Sequence, residues 1–203
     1  SWRLSLLASG LAENTVRKSC GVAKQFLNAA MRKKLVRENP FADLVSVAKS
    51  NTSRSYFVTR EEAQKVINAC PDAMWRLLFG LARFGGLRVP SEALALKWSD
   101  IVWEHDRFTV HSSKTEHHEG GGSRVVPIFS ELRKLFMEAF NEAEEGSVYC
   151  IQRYRDTSAN LRTQLRRIIT SAGIAIWPKL WQNLRATRET ELANEFPIQV
   201  VTA

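Results

Sequence analysis

Residues 85–101 read GGLRVPSEALALKWSDI. Two glycines halt the apolar run AMWRLLFGLARF (residues 73–84), and Pro90 follows Arg88 by two positions. The stretch therefore predicts a buried helix, a break, and a short helix carrying SEALAL after Pro90. Arg88 falls at that helix–loop junction among apolar neighbours. A solvated arginine needs no such setting, so its guanidinium is expected to point into a pocket. Glu92 is its ready partner, and a carboxylate that orients an arginine leaves other donors free for a ligand.

Working outward, TREEAQKVINACP (residues 59–71) opens with Thr59 and Glu62 at capping-box spacing, which starts a helix. Downstream, DIVW, RFTVHSS and SRVVPI are β-prone runs; the polar turn EHD separates the first two, and EHHEGGG forms a mobile hairpin loop before the third. Helices resume at Ser130–Glu145, at Ser158–Ala172 with Gly173 as a stop, and at Pro178–Glu195 with proline in the first turn. The expected class is mainly α with a small antiparallel three-stranded sheet (α+β).

Upstream, Val16, Phe26, Ala30 and Leu35 recur at loose helical spacing from Glu13 to about Leu35. Arg17, Lys18, Lys24, Arg32, Lys33 and Lys34 lie between them, making a basic amphipathic helix that Pro40 ends. The polar stretch VAKSNTSRS (residues 47–55) marks a boundary, giving domains at 1–50 and 51–203.

Charge follows the same division. The chain of 203 residues carries +8, and residues 1–50 hold nine Lys/Arg against three Asp/Glu. A basic arm on a near-neutral body points to a polyanion, with nucleic acid the obvious candidate. No apolar run approaches the ~20 residues that cross a bilayer, and the start has no signal-peptide pattern. It also lacks an initiating Met, so a piece of a longer protein is expected. Cys20, Cys70 and Cys150 are odd in number and scattered, which fits a reducing cytoplasm.

Two further positions bear on chemistry. Lys114 stands at a strand end before the glycine-rich loop, where it either reaches a neighbouring groove or stays solvated. On the last helix, WQNLRATRETEL (residues 181–192), Gln182 and Arg185 share a face. Leu184, Leu192 and Phe196 supply its buried side, and Arg188 pairs with Glu191 or Glu195 as a structural residue. His105, His111, His117 and His118 offer no i, i+4 helical pair, so no metal site is expected.

Taken in order, GGLRVPSEALALKW, SSKT…RVVPI and QNLRATRETELA resemble three boxes of the tyrosine recombinase, or phage-integrase, family. The resemblance runs from about Arg54 to Ala203. More loosely, NTVRKSCGVAKQFLNAAMRKKLVRENPF is similar to the last helices of the family's small DNA-clamping domain. The resemblance implies cofactor-free phosphoryl transfer on double-stranded DNA, through a 3′-phosphotyrosine and a released 5′-hydroxyl, by copies that self-associate on DNA. It makes Arg88 and Arg185 the phosphate clamp, Lys114 the acid that protonates the leaving 5′-oxygen, and Glu92 a supporting carboxylate. The basic helix then grips DNA, in the cytoplasm at the nucleoid.

Departures qualify the match. Gln182 stands where the family has a histidine, and glutamine exchanges no proton near neutral pH. Glu92 follows Arg88 by four residues rather than three. Tyr56, Tyr149 and Tyr154 match no nucleophile motif, and the family's tyrosine box is expected past Ala203, so this stretch alone should be inactive. The alternative reading is a catalytically impaired DNA-binding relic or regulatory module of the same fold.

Overall fold

A computed structural model describes residues 2–112, 122–155 and 160–197. The chain folds as two compact units, Ser1–Ser53 and Arg54–Ala203. In the first, α1 (Trp2–Ala8) packs on α2 (Glu13–Arg32). Val16 and Cys20 are the fully buried positions of α2. Phe26 and Leu35, expected on its apolar face, are each 73% exposed. The buried stripe runs instead through Val16 and Cys20, with Ala23 and Leu27 half-buried, which is true helical spacing.

The second unit is built around α4 (Ala73–Arg83), which packs against α3 (Arg60–Ala69), α5 (Ser130–Asn141) and α7 (Leu180–Glu195). As its sequence predicts, α4 is buried on nearly every side, from Trp75 to Ala82. The Thr59–Glu62 capping box that starts α3 is present. Strands β1 (Ile101–Val102), β2 (Arg107–His111) and β3 (Ser123–Pro127) pair antiparallel in that order. Phe108, Val110 and Val126 turn to the core, and Trp98, Trp103, Phe136 and Phe140 pack edge-on between the sheet and α5. Helix α6 (Leu161–Ser171) completes the unit. Among the described residues the architecture is the expected mainly helical one with a three-stranded sheet; the EHHEGGG loop falls outside them, apart from Gly122.

Three local expectations need correction. SEALAL forms successive turns rather than a helix. The segment makes two helical bonds, from Glu92 N–H to the Arg88 carbonyl and from Leu94 N–H to the Pro90 carbonyl, each at 3.0 Å, but Ala93 N–H also turns back to the Arg88 carbonyl at 3.2 Å, and the run does not propagate. Pro178 lies outside α7, because Lys179 at the helix start is left-handed, with φ of 46°.

The buried side of α7 is also largely polar. Leu180 and Leu184 are buried, but so are Asn183, Thr187 and Arg188, whereas Phe196 is 47% exposed. Asn183 Nδ2 donates to the carbonyls of Arg54 (3.1 Å) and Pro178 (2.6 Å). Thr187 Oγ1 accepts from the Val58 N–H at 3.0 Å. Helix α7 is thus fastened to backbone by hydrogen bonds where an apolar stripe was expected.

Candidate active site

The break after α4 begins the site. Gly86 has φ of +66°, open to glycine at little cost. A Cβ on Gly85 would lie 2.8 Å from the Leu81 carbonyl oxygen, so this turn is shaped for glycine. It delivers Arg88 beside Glu92, which is only 2% exposed.

The expected pairing of Arg88 with Glu92 is present, and despite the extra residue between them it is doubled. Arg88 Nη1 donates to Glu92 Oε1 while its backbone N–H donates to Oε2. Arg88 Nη1 also reaches Ser112 Oγ at 3.2 Å. Ser112 lies just past β2, on the inward face that Phe108 and Val110 share. Lys114, two residues further, lies outside the described residues.

A second cation meets the same carboxylate. Arg124 on β3 forks onto Glu92, with Nη1 at 3.1 Å from Oε1 and Nη2 at 2.7 Å from Oε2. Burial works to raise the Glu92 pKa, but the hydrogen bonds from Arg124 and the Arg88 backbone, with the charge of Arg124, outweigh it and hold the carboxyl at about 2. Glu92 is therefore ionised throughout the physiological range, flanked by two guanidinium groups.

A depressed carboxylate stabilises the fold above its unfolded pKa and ceases to do so as pH falls through the folded value. From the ordinary 4.5 down to about 2, at roughly 1.4 kcal/mol per pH unit, Glu92 contributes about 3–4 kcal/mol near neutrality. Urea midpoints for the parent and Glu92→Gln should differ widely at neutral pH and converge between about pH 4.5 and 2. A gap that stays constant through that window contradicts the assignment.

Arg185 approaches from α7. Its Nε donates to Glu189 Oε1 at 2.6 Å, a partner not expected from the sequence. Its two Nη groups make no hydrogen bond among the described residues. Arg185, Arg124 and Arg188 line one cleft of about 340 Å³, walled by Gly85, Gly86 and residues 125–127 of β3. Arg188 sits as expected against Glu191, at 3.2 Å, and also stacks 3.8 Å over the Phe129 ring. Gln182, one turn before Arg185, is exposed. Sequence reasoning missed Arg124 and Ser112; both lie on the inward alternation of their strands, which was the signal available.

Among the basic residues of the first unit, Arg17 is engaged by Glu13 (2.8 Å) and the Val47 carbonyl (3.0 Å), and Lys24 by the Leu44 carbonyl (3.1 Å). Lys18, Arg32, Lys33 and Lys34 are exposed. The described residues contain no group of three or more His, Cys, Asp or Glu placed to hold a metal ion, and no described helix is long and apolar enough to cross a membrane.

Comparison with known proteins assigns the class. The model of the phage integrase family matches residues 56–203. The chain belongs to the phage integrase family. Tyrosine recombinase XerC of Bacillus pumilus (strain SAFR-032) is 30% identical over 130 residues, covering 60% of this chain and 39% of that protein. The chain thus spans about two fifths of that curated relative.

Solved structures agree on the fold. A Tn1549 transposon integrase bound to transposon right end DNA superposes with a TM-score of 0.76 at 18% identity, over 99% of this chain and 73% of that one. A lambda integrase dimer bound to a COC′ core site gives 0.69 at 19% identity, over 98% and 74%. XerA recombinase gives 0.60 at 18% identity, over 97% and 68%.

Proposed function

We propose that this chain is part of a site-specific DNA recombinase that cuts and rejoins strands through a 3′-phosphotyrosine. The observation that carries the reading is the gathering of Arg88, Glu92 and Arg124 beside the cleft that Arg185 enters, in a member of this family. In this mechanism a tyrosine hydroxyl loses its proton to water, since Gln182 cannot accept it, its oxygen attacks the backbone phosphorus, and the bond to the 5′-oxygen breaks. Arg88 and Arg185 bind the non-bridging oxygens as negative charge grows on them. Lys114 gives its proton to the departing 5′-oxygen. Only protein side chains are required; no metal or cofactor enters the scheme.

The first unit is read as the end of a DNA-clamping domain and the second as the catalytic domain, with copies assembling on the duplex in the cytoplasm. Within the first unit the assignment narrows to Lys18, Arg32, Lys33 and Lys34, because Arg17 and Lys24 are held by their own unit. Lys33 and Lys34, just past the C-terminus of α2, also complement its dipole.

Duplex affinity measured against salt tests the reading. Each neutralised phosphate contributes about −0.9 to the slope of log affinity against log salt. Replacing Arg32, Lys33 and Lys34 by alanine should flatten that slope by about one for each phosphate no longer neutralised. A parent affinity indifferent to salt, or an unchanged slope in the triple variant, counts against DNA as the partner of this surface.

The second reading, a relic that binds DNA without cutting, is favoured by one observation: Gln182 occupies the histidine position of the family motif. Strand cleavage separates the two.

A further inference from the structure

We infer that Arg124 is a positioning residue of the phosphate clamp, acting on Arg88 through Glu92. The inference rests on the reading of Arg88 and Arg185 as that clamp, and adds to it a residue on a different strand.

The geometry is specific. Glu92 has two oxygens, and each takes one donor from Arg88 and one from Arg124. The fork of Arg124 fixes the plane of the carboxylate, because a planar guanidinium with two parallel N–H groups admits few relative orientations. With that plane fixed, only one Nη of Arg88 meets the carboxylate, and the same nitrogen turns to Ser112. Removing the fork frees Glu92 to rotate and grip Arg88 with both oxygens, withdrawing donors that an incoming phosphate would use.

Charge works in the same direction. Two guanidinium groups share one carboxylate, so the trio keeps a net positive charge beside the cleft. Without Arg124, Arg88 and Glu92 neutralise each other. Arg124 is also the one member of the trio that lines the cleft with Arg185, so it links the two halves of the clamp.

The location argues against an incidental surface pair. Arg124 precedes the buried Val126 by two on β3 and pairs in register with Val110 of β2. It therefore projects from the inward face of the strand, where an arginine is costly unless a partner awaits it.

The test uses inorganic phosphate as the probe and the Nε–H signals of Arg88 and Arg185 in ¹⁵N-labelled protein as the readout, assigned with Arg88→Lys and Arg185→Lys. In the parent, phosphate should move both signals with one dissociation constant. Arg124→Gln should raise that constant about tenfold, the effect of removing one ordinary charge-assisted interaction. Arg124→Lys should raise it similarly, since an ammonium keeps the charge but cannot fork, and this variant carries the test if Arg124→Gln folds poorly. In a Glu92→Gln background Arg124→Lys, which keeps the charge, should have no further effect, which a merely structural role would not produce.

Arg124 variants that bind phosphate like the parent overturn the inference while leaving the clamp intact. Arg124→Lys acting fully in the Glu92→Gln background overturns it too. A parent in which phosphate leaves Arg88 and Arg185 unmoved removes the clamp, and the inference with it.

Discussion

Arg185→Ala is expected to abolish strand cleavage, by at least about 10³-fold, in a version of the protein joined to a segment bearing the family's nucleophilic tyrosine. Arg185 enters the cleft with both Nη groups uncommitted among the described residues, held at its Nε by Glu189. A single donor aimed at developing charge is typically worth about 10²–10³ in rate, and a cationic arginine on a transferring phosphoryl group about 10³–10⁵. Affinity for duplex DNA should change little, because the proposed DNA surface also carries Lys18, Arg32, Lys33 and Lys34. Gln182→His should act in the opposite sense, since a positioned imidazole handles the proton that glutamine cannot, typically about 10²–10⁴-fold. Single-turnover cleavage on a nicked duplex measures both. Brisk cleavage by Arg185→Ala would show that the phosphate is held elsewhere.

Arg83→Met should destabilise the second unit by about 3 kcal/mol, because it removes the two-pronged partner of Glu191 and leaves that carboxylate Arg188, at 3.2 Å, and the looser Arg60, at 3.8 Å. Arg83 is fully buried at the end of α4, and its Nη1 and Nη2 donate to Glu191 of α7 at 2.9 and 2.6 Å. Its Nε donates to the Val58 carbonyl at 3.1 Å. Burial tends to raise the Glu191 pKa, but hydrogen bonding and charge from Arg83, then Arg188, win and lower it. This cluster joins the helix that leads into Arg88 to the helix that carries Arg185, so it sets the relation between the proposed clamp residues. Chemical denaturation reads the effect. A destabilisation below about 1 kcal/mol, the range of solvated pairs, would mean that the network does not hold α4 to α7.

Much of this was legible in the residues. Periodicity and capping located α3, α4 and the strands, since those signals are local and the apolar face coincides with the core. Arg88 with Glu92 was legible because glycine and proline punctuate their surroundings. What failed was also physical. Phe26 and Leu35 are apolar yet exposed, because hydrophobic residues are not confined to the interior of a small unit. The helical period of SEALAL is too short a run to propagate beyond its first bonds, to the carbonyls of Arg88 and Pro90.

On α7 the pattern pointed to leucine and phenylalanine, but Asn183 and Thr187 are buried because backbone carbonyls and N–H groups of a distant segment meet them. No sequence period encodes a partner 129 residues away. Arg124 was hidden for the same reason: only the pairing of β2 with β3 carries it to Glu92.

In the proposed mechanism Arg88 and Arg185 grip a DNA phosphate while a tyrosine attacks it. The most direct measurement is a denaturing gel of the tyrosine-bearing protein incubated with a nicked suicide duplex, followed by mapping of the linkage. The expected result is a covalent adduct joined to DNA through a 3′-phosphate, a free 5′-hydroxyl on the released strand, and no adduct when Arg88 and Arg185 are both replaced by alanine. Tight duplex binding without any adduct, or a linkage through the 5′ end, would contradict it.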